Sequence, residues 1–329
     1  MNVAVPRISV VIPLYNKAAS VSRAVGSVLA QDMPDFELLV IDDGSTDGSA
    51  ECIAGITDSR LRIVRQANAG AAAARNVGIA LAQAELIAFL DADDLWLPGF
   101  LSGVLGLHAR FPHALAFATG YVVQNPGAPR RLAEFSRVPL APEGGLIASW
   151  FEAIAAGANP VWSSAVALPR AVLMRLGGFP AGVRLYEDLH LWARVAIDGP
   201  IAYVPQALSV YCRDAENRAC EVIVPTRDDL AFASVIERAI ATGELAGAEA
   251  QAAQRVIDRY ALLNAFKALV AGNVAEARHI LRQAPRASWP ARLRHAAIFA
   301  LSCLPHTLVH AIWQAGRRYK AGRAQVSAA

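Results

Sequence analysis

The sequence predicts an α/β protein: a mostly parallel, mixed sheet covered by helices on both faces, followed by an α-helical C-terminal region. Three observations predict it. Short β-branched runs alternate with helical spacing early in the chain, with short loops between them. Polar clusters stand where several of those runs end, at the sheet edge where α/β proteins bind ligands. Beyond Pro225 only helical periodicity remains.

Ile8–Ile12 reads as a strand stopped by Pro13, and Ser20–Gln31 as the helix after it. Glu37–Ile41 is a second strand, running into the turn Asp42-Asp43-Gly44-Ser45-Thr46-Asp47-Gly48. Leu61–Arg65 is a third, followed by an alanine-rich helix from Gly70 to Ala82. Leu86–Leu90 is a fourth, ending in Asp91-Ala92-Asp93-Asp94 before a helix near Pro98–Phe111. Ala116–Val123 and Val161–Leu168 read as strands on either side of the Pro-, Gly- and Arg-rich stretch Gln124–Gly145. A helix over Pro169–Leu176 stops at Gly177-Gly178. Glu187–Ile197 is a short amphipathic helix, and Ile201–Val204 with Leu208–Tyr211 are closing strands. Thr226–Ala241, Glu244–Ala271 and Asn273–Gln283 are helices, the last two forming a hairpin around Gly272. The expected units are a catalytic domain over 1–224, a helical appendage over 225–285 and a basic, apolar helical tail over 286–329.

Of 329 residues, 55% are hydrophobic and 18% charged, which excludes disordered and disulfide-stapled classes. The chain has 31 Lys and Arg against 28 Asp and Glu, but seven of the basic residues and none of the acidic ones fall in 286–329. The rest is mildly acidic, which argues against nucleic acid as a partner. Cys52, Cys212, Cys220 and Cys303 have no metal-ligand spacing. The N-terminal stretch has no signal-peptide pattern, so the expected location is the cytoplasm.

Asp91-Ala92-Asp93-Asp94 crowds carboxylates at a strand end, where a divalent cation or hydrogen-bond donors must offset their repulsion. Oxygen ligands of this kind suit Mg²⁺ or Mn²⁺ bridged to a diphosphate; a solvated turn, with Asp94 capping the next helix, uses the same residues. In the second cluster, Gly44 permits a tight turn and Asp43 can accept from a base or ribose, while an acidic Asx turn is the plainer reading. Pro13, Tyr15 and Asn16 offer a rigid backbone, an aromatic face and an amide, or simply a loop entering a helix. Arg75, near Asn68 and Gly70, can hold a phosphate or orient an aspartate, or lie on the surface.

Taken together, Ser9–Asn16, Asp42–Asp47, Ala74–Gly78, Phe89–Asp94, Gly177-Gly178-Phe179 and Glu187-Asp188-Leu189 with Leu191-Trp192 and Arg194 resemble glycosyltransferase family 2 over residues 7–213. These are inverting nucleotide-sugar transferases of the GT-A fold. The resemblance implies that Pro13, Tyr15, Asn16, Asp43 and Asn68 line the nucleotide pocket, with Asp43 accepting from the base imide. It implies that Asp91 meets the ribose or the metal shell, that Ala92 lies in the nucleotide-sugar site, that Asp93 ligates Mn²⁺ or Mg²⁺ on the diphosphate and that Arg75 supports the acidic pocket. Asp188 occupies the place of the base that deprotonates the acceptor hydroxyl, with Glu187 less favoured; an acidic first turn that suits the helix dipole is the alternative. One departure stands out. Where many members read Tyr-Arg with a later His, this chain reads Tyr211-Cys212-Arg213-Asp214-Ala215-Glu216-Asn217. Arg213 is the expected replacement for phosphate support and Asp214 an alternative oxygen ligand.

Ala296–Ala315 is apolar but carries Ser302, Pro305, His306, His310 and Gln314, which are costly inside a bilayer. Arg292, Arg294 and His295 precede its middle, and Arg317, Arg318 and Lys320 follow it. A helix packed on the body and a helix lying on an anionic membrane surface both fit. The expected function is transfer of a sugar, from a UDP- or dTDP-sugar, to a glycan or lipid-linked acceptor in cell-surface polysaccharide assembly, at the inner face of the cytoplasmic membrane. A catalytically silent nucleotide-sugar-binding scaffold on the same fold is the first alternative. A nucleotidyltransferase is the second, weakened by the lack of a Gly-rich triphosphate loop near the first strand. No G-x-G-x-x-G follows Ile8–Ile12, which argues against a dehydrogenase.

Overall fold

The structure is a computed structural model that describes residues 5–214, 218, 222–285 and 289–315. Its centre is one 10-stranded mixed sheet. The strands are β1 (Ile8–Leu14), β2 (Phe36–Asp42), β3 (Leu61–Arg65), β4 (Leu86–Phe89), β5 (Leu95–Trp96), β6 (Ala116–Gln124), β7 (Arg131–Leu132), β8 (Gly145–Leu146), β9 (Val166–Pro169) and β10 (Ile201–Cys212). Their order is β3-β2-β1-β4-β9-β6-β10-β5, with β7 on β6 and β8 on β10. From β3 to β4 every pair is parallel. β9 runs antiparallel between β4 and β6, while β6 and β10 pair in parallel.

Helices α1 (Val21–Leu29), α2 (Glu51–Ala54), α3 (Ala71–Leu81), α4 (Phe100–Arg110), α5 (Trp150–Ala156), α6 (Arg170–Arg175) and α7 (Glu187–Asp198) connect these strands. α8 (Ala231–Ala241), α9 (Gly247–Val270), α10 (Val274–Gln283) and α11 (Trp289–Leu301) follow them. Strand alternation divides the core. Val10 and Ile12 of β1 join Val25 and Val28 of α1 and Val104 of α4 on one face, while Val11 joins Ile41, Phe89 and Trp192 on the other. That second cluster continues through Phe232, Val256, Ile257 and Leu281, so the C-terminal helices bury their apolar faces against the α7 side of the sheet.

Four expectations change. β1 passes through Pro13, whose Cα pairs with Ile41 of β2, while its pairing with β4 has already ended at Val11. Proline is tolerated because that side of the strand needs no further donor. Val161–Leu168 is not one strand: Ser163–Ala165 forms a 3₁₀ turn before β9 begins. The two closing strands are one, β10, with register shifts between Val204 and Ala207 and between Ala207 and Ser209. Finally, Leu95–Trp96 after the aspartate cluster pairs antiparallel with β10.

Two glycines set close approaches at the site end of the sheet. A Cβ on Gly78 would come within 2.3 Å of Val11 Cγ1, so α3, which carries Arg75, presses directly on β1. Gly178 has φ +68°, and a Cβ there would lie 2.3 Å from Asn76 Oδ1. Asn76 clamps the next residue, accepting from Phe179 N at 2.8 Å and donating through Nδ2 to Phe179 O at 2.8 Å. Gly178→Ala is therefore expected to break this clamp and cost about 1–3 kcal/mol, read as a lowered midpoint in urea denaturation.

Candidate active site

The loops after β1 and β2 are bolted into one unit. Asn16, at φ 50°, donates its backbone N–H to Ser45 Oγ at 3.1 Å, and its Oδ1 accepts from Thr46 N at 2.8 Å. Lys17 N donates to Ser49 Oγ at 2.7 Å, and Ala18 N to Asp47 Oδ2 at 3.0 Å. Asp42 is buried and turns the chain by accepting from Ser45 N at 2.9 Å. Asp43, only 2% exposed, accepts from Gln66 Nε2 at 2.7 Å, Ala69 N at 2.9 Å and Gly70 N at 2.8 Å. Most of its acceptor capacity thus ties β2 to the start of α3, and what remains lies on Oδ2. Tyr15 is 47% exposed, its ring open beside this unit, while Pro13 and Asn16 are half-buried and Asn68 is exposed.

Arg75 sits at the centre of the acidic pocket. Only 3% exposed, it donates through Nη2 to Asp91 Oδ1 at 2.6 Å and through Nη1 to Glu187 Oε1 at 2.8 Å. Its guanidinium stands 5.1 Å from the Phe179 ring centroid. Burial opposes its charge, but the Asp91 and Glu187 carboxylates raise its pKa above the ordinary value, so it stays cationic. The plain surface-arginine reading is thereby excluded.

The aspartates after β4 part company. Asp94 is buried, accepting from Ser164 Oγ at 2.6 Å, Trp162 Nε1 at 3.1 Å and Cys212 N at 2.9 Å. Burial, then Asp93 and Asp91 nearby, push its carboxyl well above the usual range. It fastens the 3₁₀ turn and the end of β10 to the β4 loop rather than capping a helix, while Gly99 precedes α4. Ala92 is buried. Asp91 and Asp93 keep side-chain exposures of 24% and 17%, so both reach solvent from the pocket. Asp93 Oδ2 is 2.7 Å from Lys17 Nζ.

Asp188 opens α7. Its Oδ1 accepts from Leu189 N at 2.7 Å, and its Oδ2 from Ser163 Oγ at 3.3 Å. Burial, then the neighbouring Glu187 charge, push its carboxyl up to about 7, against the pull of Arg75. Glu187 by contrast is engaged by Arg75.

Asp214 lies 4.0 Å from Arg23 of α1, both half-exposed, and Arg213 N donates to Gln124 O at 2.9 Å. The rest of the departing motif, Ala215-Glu216-Asn217, lies outside the described residues, as do Cys220 and the basic tail residues Arg317, Arg318 and Lys320. Among the described residues no group of three or more His, Cys, Asp or Glu is arranged to hold a metal. The two accessible carboxylates Asp91 and Asp93 nevertheless fit Mg²⁺ or Mn²⁺, which take one or two carboxylates and complete their shell with substrate phosphates and water.

Sequence reasoning missed Lys17, Ser163 and Ser164. Lys17 stood next to the motif Pro13–Asn16 and was within reach of a reading that asked what balances Asp93. The serines carried no such signal, because they act through residues 25 and 70 positions away.

The glycosyl transferase family 2 model matches residues 9–158. The fold places the chain among α/β proteins of the GT-A architecture, and the chain is similar to glycosyltransferase family 2 over residues 9–158, a little under half its length. It is 42% identical over 130 residues to the validoxylamine A glucosyltransferase of Streptomyces hygroscopicus subsp. jinggangensis, covering 37% of this chain and 31% of that protein. It is 40% identical over 111 residues to the succinoglycan biosynthesis protein ExoW of Rhizobium meliloti, covering 32% of this chain and 35% of that one. The match spans 32% of the length of several other curated relatives. The crystal structure of S. aureus TarS 1–349 in complex with UDP-GlcNAc superposes with TM-score 0.69 at 17% identity, covering 94% of this chain and 92% of that one.

Proposed function

We propose that the chain is an inverting glycosyltransferase that moves a sugar from a nucleotide-sugar donor, a UDP-sugar in the first instance, to a hydroxyl of a glycan or lipid-linked acceptor. The observation that carries this reading is the division of labour among the carboxylates at one sheet edge. Arg75 neutralises Asp91 and Glu187, while Asp188 beside them is poised near neutrality.

A base with a pKa near the working pH combines a useful ionised fraction with proton affinity. Asp188 takes the acceptor proton as the hydroxyl attacks the anomeric carbon on the face opposite the departing diphosphate. Ser163 and Leu189 N hold its carboxylate in place. Asp43, Tyr15, Pro13, Asn16 and Asn68 are assigned to the nucleoside, with Asp43 Oδ2 accepting from the base. Asp93, with Asp91, would hold Mn²⁺ or Mg²⁺, which supplies charge neutralisation to the leaving diphosphate. Arg213 is assigned to phosphate support, whereas the pairing of Asp214 with Arg23 favours a surface role for that carboxylate.

The UDP-GlcNAc held by TarS supports the donor class, and the naming of ExoW for succinoglycan biosynthesis supports a polysaccharide setting. No helix among the described residues is long and apolar enough to cross a membrane. Leu293, Phe299, Leu304, Leu308 and Ile312 of the tail are exposed, close to Arg292 and Arg294. Peripheral attachment to an anionic inner membrane surface is the reading we give this combination.

The test is nucleoside diphosphate release from a panel of nucleotide sugars with Mn²⁺ or Mg²⁺. One donor is expected to release, and Asp93→Ala to lower that rate at least about 100-fold. Pyrophosphate release from a nucleoside triphosphate would move the reading to a nucleotidyltransferase. Nucleotide-sugar binding that persists without release under any acceptor would move it to a scaffold.

A further inference from the structure

Tyr186, the residue before Glu187-Asp188, is held by the C-terminal helices in a backbone conformation that tyrosine rarely adopts. Its φ is 63° and ψ 25°, the left-handed region, where a side chain other than glycine is strained. Such an outlier persists only where the surroundings hold it. Here the hydroxyl donates to Asn264 Oδ1 of α9 at 2.7 Å. The ring meets Tyr260 of α9 at 5.1 Å and Phe232 of α8 at 6.2 Å, both edge-on. The Tyr186 carbonyl accepts the first hydrogen bond of α7, from His190 N at 3.1 Å.

Asn264 is fully buried, and its Nδ2 has no hydrogen-bond partner among the described residues. An orphaned buried amide loses its hydration without compensation and is destabilising. A leucine would fill a helix interior without that cost, so packing alone does not account for the amide. The acceptor it presents to Tyr186 does.

We propose that Tyr186 and Asn264 are positioning residues, through which the C-terminal helices fix the first turn of α7 and so aim the Asp188 carboxylate at the acceptor hydroxyl. This rests on the assignment of Asp188 as the base. The strained residue sets the direction in which α7 starts, and Asp188 lies two residues on, with Ser163 on its other side. Released from Asn264, Tyr186 relaxes out of the left-handed region, the first turn frays and the carboxylate loses its aim.

The double variant Tyr186→Phe/Asn264→Leu removes the hydroxyl, the acceptor and the orphaned amide together while keeping both shapes, so it is expected to fold with an unchanged melting temperature. Its kcat should fall about tenfold with the donor KM unchanged, and the same substitutions in an Asp188→Asn background should cost nothing further. Amide exchange across 187–191 should rise at least about tenfold, with nucleoside diphosphate affinity intact. Unchanged kcat and unchanged exchange would overturn the proposal, as would a loss in kcat that adds fully to that of Asp188→Asn. If the wild type turns over no donor, the functional reading falls, and exchange across 187–191 alone decides whether the helices hold that turn.

Discussion

Asp188→Asn is expected to lower turnover about 100- to 10,000-fold while leaving nucleotide-sugar binding intact, because it removes the proposed base and retains the shape. The same substitution should raise stability. Burial and Glu187 lift the Asp188 carboxyl from the ordinary 3.8 to about 7, so the folded state binds this proton more tightly than the unfolded chain does. Wild-type stability therefore falls as pH rises through that interval, and the penalty stays constant above it. Asparagine carries no such penalty. The variant should exceed wild type at pH 8 by on the order of 2 kcal/mol, a figure held down by the partial exposure of the carboxylate, and the gap should close towards pH 4. Thermal melts at the two pH values check this without any substrate. An active site that loses activity and gains stability through one atom type is the expected mark of a base kept in an unfavourable environment.

Arg75→Ala should have the opposite character. Arg75 is 3% exposed and bridges Asp91 to Glu187, so its loss leaves two half-buried carboxylates without their shared counter-charge. Breaking a buried ion pair from one side costs about 3–5 kcal/mol, which corresponds to a melting temperature lower by roughly 10 °C. Arg75→Lys should recover only part of this, since one ammonium cannot replace two separated guanidinium donors. Adding Glu187→Gln to Arg75→Ala should restore more stability than Arg75→Lys does, because it removes one of the repelling charges. Circular dichroism melts of the three variants decide the order.

How far the chain could be read before folding follows from the range of each interaction. β1 to β4 and the helices between them were legible because strand and helix periods are local. The two aspartate clusters were legible because they end those strands. The 3₁₀ turn at Ser163–Ala165 was not: its apolar flanks resemble a strand, and only Asp94, 70 positions from Ser164, turns it into a bracket. The bulged course of β10 was read as two strands because Pro205-Gln206 looks like a turn in sequence, whereas the chain absorbs it as register shifts against β6. Arg75 was legible as a candidate, but its burial was not, since Asp91 and Glu187 lie 16 and 112 positions away. The contact between Tyr186 and Asn264 spans 78 positions and left no pattern in either segment. Asp43 was legible as a candidate, but its bonds to Gln66 Nε2 and to the Ala69 and Gly70 N–H groups just before α3, 23 to 27 positions away, were not.

Asp188 is proposed to activate the acceptor in a nucleotide-sugar transferase. The most direct measurement is nucleoside diphosphate release from the preferred donor between pH 5 and 9, wild type against Asp188→Asn, with water or a glycan as acceptor. The wild-type rate is expected to climb with a midpoint near the raised Asp188 value of about 7 and level above it, and the variant to give a low, flat profile. A wild-type profile that Asp188→Asn leaves unchanged would contradict it.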